Sequence, residues 1–180
     1  MIAPGTGLGE SFLTWDESRY LAHSSEGGHS DFSPADALQV RLLEYMFKKT
    51  DHVSFEHVCS GVGLPNLYGF LRDVEGLPEN PEVAQRIAVA PDPSFVIIGE
   101  AVNPAKSSKL CTATINLFIS ILSCEAGNLA VKVLATGGVY IAGGVATRTL
   151  EMISTCPLRF LAKLAGNCEV MQSGRRPVEE

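Results

Sequence analysis

Residues 126–148, AGNLAVKVLATGGVYIAGGVATR, read as three elements in succession. The first part ends a long apolar segment. From Ser107 to Leu134 the apolar pattern has helical spacing and is nearly continuous, long enough to cross a domain core. Thr136-Gly137-Gly138 breaks that helix, Val139-Tyr140-Ile141-Ala142 is a short apolar strand, and Gly143-Gly144 turns it into another helix near Thr149. A helix, a strand and a helix in close order favour an α/β fold.

Working back toward the N-terminus, Asn66 to Val74 reads as a helix ended by Gly76 and Pro78. Between Glu79 and Ser94 lie three prolines and several acids, the least regular stretch of the chain. Ser54 is placed to cap a short helix through Cys59. Ser33-Pro34-Ala35-Asp36 is a helix start, with Ser33 at the N-cap and Pro34 at the first helical position. Behind it, Leu38, Leu42, Tyr45 and Met46 share the spacing of one buried face. Glu10 to Trp15 and Arg19 to Ser24 form a hairpin about a short polar loop, and Ser25 to Phe32 is polar, glycine-rich and aperiodic. Pro4-Gly5-Thr6-Gly7-Leu8-Gly9 opens the chain with a glycine-rich turn. There is no internal repeat and no low-complexity segment.

The 180 residues suffice for one substantial domain, which buries roughly 70% of its unfolded surface. A net charge of −6 argues against broad electrostatic binding to nucleic acid or anionic lipid. A polyanionic ligand would need a local cradle of backbone N–H groups. The five cysteines are odd in number, widely spaced and form no CxxC pair. That pattern argues against a zinc ribbon and a disulfide framework, and suits a reducing compartment with no bound metal. Met1-Ile2-Ala3-Pro4-Gly5 lacks the features of a signal peptide. Leu110 to Leu134 contains Asn116, Glu125, Asn128 and Lys132, so a buried core helix explains it better than a membrane span. The expectation is a soluble, cytosolic protein.

Several segments could carry chemistry. In Pro4–Gly9 the glycines allow successive N–H groups to face a phosphate. No Lys-Ser/Thr pair follows them, so this is not a Walker A loop, and an ordinary tight turn explains the pattern equally well. In Glu26-Gly27-Gly28-His29, two hydrogen-bonding side chains flank two residues that have none. A sugar hydroxyl suits such a pair, since a carboxylate accepts its proton and an imidazole does either; a solvated loop is the plain alternative. Glu56 sits just inside a helix start behind Ser54, where an acid is also favoured by the helix dipole alone. Glu125 and Asn128 read as a satisfied buried pair, and His23 and His52 have no evident partner. No nucleophile–histidine–acid triad is visible.

In their order, PGTGLG, EGGHSDFSP, HVSFEHVCSGVGLPNLY and AGNLAVKVLATGGVYIAGGVATR resemble the bacterial-type glucokinase family. That family belongs to the actin-like, sugar kinase and Hsp70 ATPase superfamily. The resemblance runs from about Pro4 to Leu161. It implies an α/β, ribonuclease H-like lobe of the actin-like ATPase fold, incomplete here, and ATP-dependent phosphorylation of glucose with Mg²⁺. It further implies that Glu26, His29 and Glu56 hold glucose hydroxyls. Gly5, Thr6, Gly7 and Gly9 would form the superfamily's second phosphate loop, and Gly143 and Gly144 would approach the adenosine end of ATP. His57 stands where the family usually has Arg.

A smaller N-terminal domain, with the first phosphate loop and the catalytic Asp, would lie ahead of Met1, so no catalytic residue is expected in this chain. Residues 1–161 are expected to form the large domain, and 162–180 a divergent, disordered tail. A homodimer is left open. The rivals are a ROK-type sugar kinase, whose zinc-binding cysteine pattern the five cysteines do not fit, and a non-catalytic sugar- or nucleotide-binding lobe.

Overall fold

The computed structural model describes residues 1–103, 108–155 and 168–170. The chain begins with three strands, β1 (Ile2–Pro4), β2 (Leu8–Trp15) and β3 (Tyr20–Ser25). Helices α1 (Ala37–Met46), α2 (Leu64–Asp73), α3 (Pro81–Val89), α4 (Pro93–Val102) and α5 (Lys109–Lys132) follow. Then come β4 (Val139–Ile141), two short helices, α6 (Gly144–Arg148) and α7 (Leu150–Thr155), and β5 (Cys168–Val170).

One sheet of order β3-β2-β1-β4-β5 carries the fold. The first three strands are antiparallel, and β4 and β5 add in parallel to β1. The expected hairpin is present, with Trp15 opposite Tyr20 and Glu10 opposite Ser25. Its far end projects into solvent, where Trp15 and Tyr20 meet edge to face at 4.9 Å. Strand β5 falls inside the stretch expected as a disordered tail, and there it extends the sheet at Val139–Ile141.

The long apolar segment is α5, and most of it is buried inside the protein. Leu110, Ile115, Phe118, Ile119, Ile121 and Leu122 are essentially inaccessible and pack with Leu42, Leu67, Phe70 and Ile97 from α1, α2 and α4. By length and composition alone this helix could cross a membrane. Several of its buried hydroxyls are instead satisfied within the helix. Buried Thr114 and Ser123 hydroxyls donate to the carbonyls of Leu110 and Ile119, at 2.8 and 2.7 Å.

Three local expectations are revised. Helix α1 starts at Ala37, capped by Asp36 rather than Ser33: the Asp36 carboxylate accepts the Gln39 N–H at 2.8 Å. Gln39 reaches back to accept the Ala35 N–H at 3.0 Å, so the acid with a glutamine three residues on outcompetes the serine. The stretch 79–94, expected to be irregular, holds α3 and the start of α4. Asn80-Pro81 and Asp92-Pro93 are each an N-cap followed by proline at the first helical position, and both caps bond the next amides. The segment behind Ser54 is a single 3-10 turn, Phe55–His57, before the chain enters α2 two residues earlier than expected.

Candidate active site

The glycine turn between β1 and β2 is clamped from behind. Gly61 N–H donates to the Gly5 carbonyl at 2.8 Å, and Val62 N–H to the Thr6 carbonyl at 3.2 Å. Within the turn, Gly5 N–H donates to the Gly7 carbonyl at 2.8 Å. Leu8 N–H donates to Oε2 of Glu56 at 2.9 Å. The Thr6 and Gly7 N–H groups have no acceptor among the described residues. A side chain at position 7 would collide with the Glu56 carboxylate, so glycine there lets the acid come this close.

The Glu56 segment is built by short-range bonds. Nδ1 of His57 accepts the Ser54 N–H at 3.1 Å, so histidine takes the capping role behind Ser54. Buried Ser60 donates its hydroxyl to the Glu56 carbonyl at 2.6 Å and accepts the Gly63 N–H at 3.1 Å. Asn66 donates to the His57 carbonyl at 3.0 Å, tying the turn to α2.

Glu26 precedes a 3-10 turn, Gly27–His29, that rests against the Phe55–His57 turn. The chain between them is laced by backbone pairing: Asp31 bridges Ser54, Phe55 N–H donates to the Ser30 carbonyl at 3.1 Å, and Phe32 N–H to the Val53 carbonyl at 2.8 Å. Oε2 of Glu26 stands 3.8 Å from Nε2 of His29, and both side chains are open to solvent. The structure therefore brings Glu26, His29 and Glu56 to adjoining turns, although 27 positions separate His29 from Glu56. Next to them, His52 Nε2 meets Asp31 at 2.9 Å, a partner that spacing alone does not reveal. His23 pairs with Thr14 at 2.8 Å and stacks on Phe12, away from these turns.

The two glycine turns meet at Gly143. Its φ of 90° and the carbonyl of Pro4, which any side chain there would strike, both require glycine. Around this contact opens a groove of about 760 Å³, lined by Gly5, Thr6, Gly61 and Val62 on one side and by Gly144, Val145 and Arg148 on another. Pro65 and the Pro91–Ser94 turn complete the wall. Arg148 lies 4.9 Å from the ring centroid of Phe95. Sequence reading passed over Arg148, Asp92 and Ser60. Asp92-Pro93 is a helix start that spacing can show, whereas nothing in the order of residues shows that Arg148 lines one groove with the first turn.

Beneath the Glu26 turn the buried acids are less settled than expected. Asn128 donates to Oε2 of Glu125 at 2.8 Å, but Oε1 of Glu125 and Oε1 of Glu10 lack a hydrogen-bond donor among the described residues. Burial, and then the facing Glu125 carboxylate, push the Glu10 carboxyl up to about 7. Cys59, Cys111 and Cys124 are free thiols, each pushed up chiefly by burial. Cys156 lies outside the described residues.

Comparison with known proteins supplies the family. The family model described as Glucokinase matches residues 1–172. The chain is similar to a glucokinase of Trichormus variabilis, 42% identical over 165 residues, covering 85% of this chain and 48% of that protein. Among solved structures it is similar to a glucokinase from an Antarctic psychrotroph, with a TM-score of 0.69 and 31% identity over 87% of this chain and 45% of that one. A glucokinase of Balamuthia mandrillaris in complex with glucose shares the fold, with a TM-score of 0.67 at 23% identity over 91% of this chain and 47% of that one. The chain spans about half the length of the curated glucokinases it matches first.

Proposed function

We propose that this chain, which belongs to the glucokinase family, forms the ligand-holding lobe of a cytosolic kinase that transfers the γ-phosphoryl group of ATP to the 6-hydroxyl of glucose at the entry to glycolysis. The observation that carries this reading is the single carboxylate of Glu56, which bonds the phosphate-loop amide of Leu8 beside the turn bearing Glu26 and His29. One residue thus links a candidate sugar site to a candidate phosphate site, and phosphoryl transfer depends above all on that relative placement.

In this reading Glu26 and Glu56 accept hydrogen bonds from sugar hydroxyls, and His29 donates or accepts one according to its tautomer. The free Thr6 and Gly7 N–H groups receive phosphate oxygens, with Gly5 and Gly9 shaping the loop. Gly143 and Gly144 admit the nucleoside at the far side of the groove, where Arg148 offers a guanidinium to the phosphates. Mg²⁺ would arrive on the nucleotide, since no three His, Cys, Asp or Glu side chains are grouped to hold it among the described residues. Among the described residues, no carboxylate near the sugar turns is placed as the base that accepts the hydroxyl proton. Asp31, two residues after His29, is engaged by His52. With no such base placed among the described residues, these 180 residues by themselves are expected to bind sugar without turning it over.

Calorimetric titration of the 180-residue chain with glucose tests the reading. A saturable isotherm that is lost in Glu26→Gln and His29→Ala supports it, and absence of binding in the folded wild type refutes it. A coupled assay for glucose 6-phosphate on the same protein should stay at background.

A further inference from the structure

The candidate sugar turn rests on a buried acid. Glu10 stands opposite Ser25 at the end of β3, and its carboxyl occupies the space that a side chain on Gly27 would fill, with Cδ 2.7 Å from the position of such a Cβ. Gly27 in turn is held by its N–H to the Ser25 hydroxyl at 3.0 Å, and its carbonyl accepts the Ser30 hydroxyl at 2.6 Å. Any shift of the Glu10 carboxyl is therefore felt by the backbone between Glu26 and His29.

Glu10 faces a second acid. Glu125, fully buried on α5, turns its carboxyl toward it, and one oxygen of each is left without a donor. Two carboxylates at close range in a protein interior do not both ionise readily, and one proton shared between them satisfies both orphaned oxygens. The other charged or titratable groups around Glu10 are Lys132 on α5, 3.7 Å from Oε1 of Glu125, the Met1 ammonium ahead of β1, and the buried thiol of Cys59. Lys132 compensates one carboxylate, leaving the second to hold the proton.

We propose that Glu10 and Glu125 form a proton-sharing carboxyl pair that positions the Glu26–His29 turn, so that loss of the shared proton displaces the turn and weakens its grip on sugar. The pair acts through Gly27 and touches no ligand, so both acids are positioning residues. The sugar part of the proposal rests on the function proposed above; the coupling of the pair to the turn does not. Repulsion between two ionised carboxylates presses Glu10 away from α5. That movement carries it into Gly27, where the absence of a side chain leaves no other buffer.

The test follows the Gly27 and Gly28 amide resonances of the full chain from about pH 5 to about pH 9, with glucose titrations at the same points. The wild type should show both amides moving with one titration near neutrality. Its glucose affinity should fall about fivefold from about pH 6 to about pH 8, the change that one unit of carboxyl pKa difference between bound and free protein produces over that window. Glu10→Gln and Glu125→Gln, which keep the shape and remove one ionisation each, should abolish the movement and flatten the affinity profile. Two variants guard against the loss of either one to misfolding. Amides that titrate identically in wild type and in a folded Glu→Gln variant overturn the proposal. Amides that follow the pair in a protein binding no glucose sustain the coupling and refute the sugar reading instead.

Discussion

The Leu8 backbone N–H donates to Oε2 of Glu56 at 2.9 Å, across 48 positions of sequence. The bond ties the floor of the proposed phosphate loop to the carboxylate proposed to hold the sugar. Replacing Glu56 by alanine leaves a partly buried amide without an acceptor, which costs about 1–3 kcal/mol. Glu56→Ala should lower the denaturant midpoint accordingly and weaken both glucose and nucleotide binding. Glu56→Gln retains an acceptor oxygen and should recover most of the stability but not the sugar affinity. Loss of glucose binding with undisturbed nucleotide binding in Glu56→Ala would show that the two sites are not joined through this residue.

Gly143 and Gly144 are neighbours with opposite demands. Gly143→Ala places a methyl group in a left-handed conformation against the Pro4 carbonyl. The backbone term alone costs about 1–3 kcal/mol, and the collision adds to it. Gly144 has open space around its Cβ position. Gly144→Ala should therefore be neutral, or stabilising by about 0.4–1 kcal/mol. Urea unfolding of the two variants side by side measures the contrast.

Stability should fall through neutrality because of Glu10. Its folded-state pKa, about 7, lies above the ordinary 4.5. The folded state thus holds this proton more tightly, and the contribution to stability is complete below about pH 4.5 and lost as pH rises through about 7. In Glu10→Gln the decline over that window should shrink while stability at about pH 8 rises toward the value at about pH 6. Thermal unfolding at a series of pH values reads both. An unchanged slope in Glu10→Gln would place the titration elsewhere.

Arg148 lines the groove 4.9 Å from Phe95, opposite the turn of Gly5 and Thr6. Arg148→Ala should weaken ATP binding about 10- to 100-fold, the effect of losing a charge-assisted contact of about 1.5–3 kcal/mol. Glucose affinity should be unchanged. Arg148→Lys should recover only part, because an ammonium lacks the planar group that stacks on the ring. Isothermal titrations with each ligand separate these outcomes, and equal loss of both ligands would mean that the substitution disturbs the fold.

Much of the architecture was legible because its causes are local. Apolar spacing in 107–134 announced α5, glycine breaks bounded β4, and the polar turn at 16–18 announced the hairpin. Ser54 stood at its cap because capping depends only on the next three residues. Helix α3 and the start of α4 lie in the stretch whose prolines and acids read as irregular, yet Pro81 and Pro93 each follow a capping side chain and begin a helix. The three-residue strands β1 and β5 are too short to show a period, and exist as strands only because β4 and β2 offer them partners.

The candidate site divides along the same line. Glu26 and His29 lie on one turn, so their proximity is written in three residues of chain. Glu56 under Leu8, Glu125 facing Glu10, and Arg148 and Thr6 lining one groove bring together residues dozens of positions apart. Residue order determined which turns and helices could form, since a cap or a glycine turn needs only its neighbours. Which of them share a carboxylate was decided by tertiary packing, because the sheet and α5 set those distances and no local preference carries them.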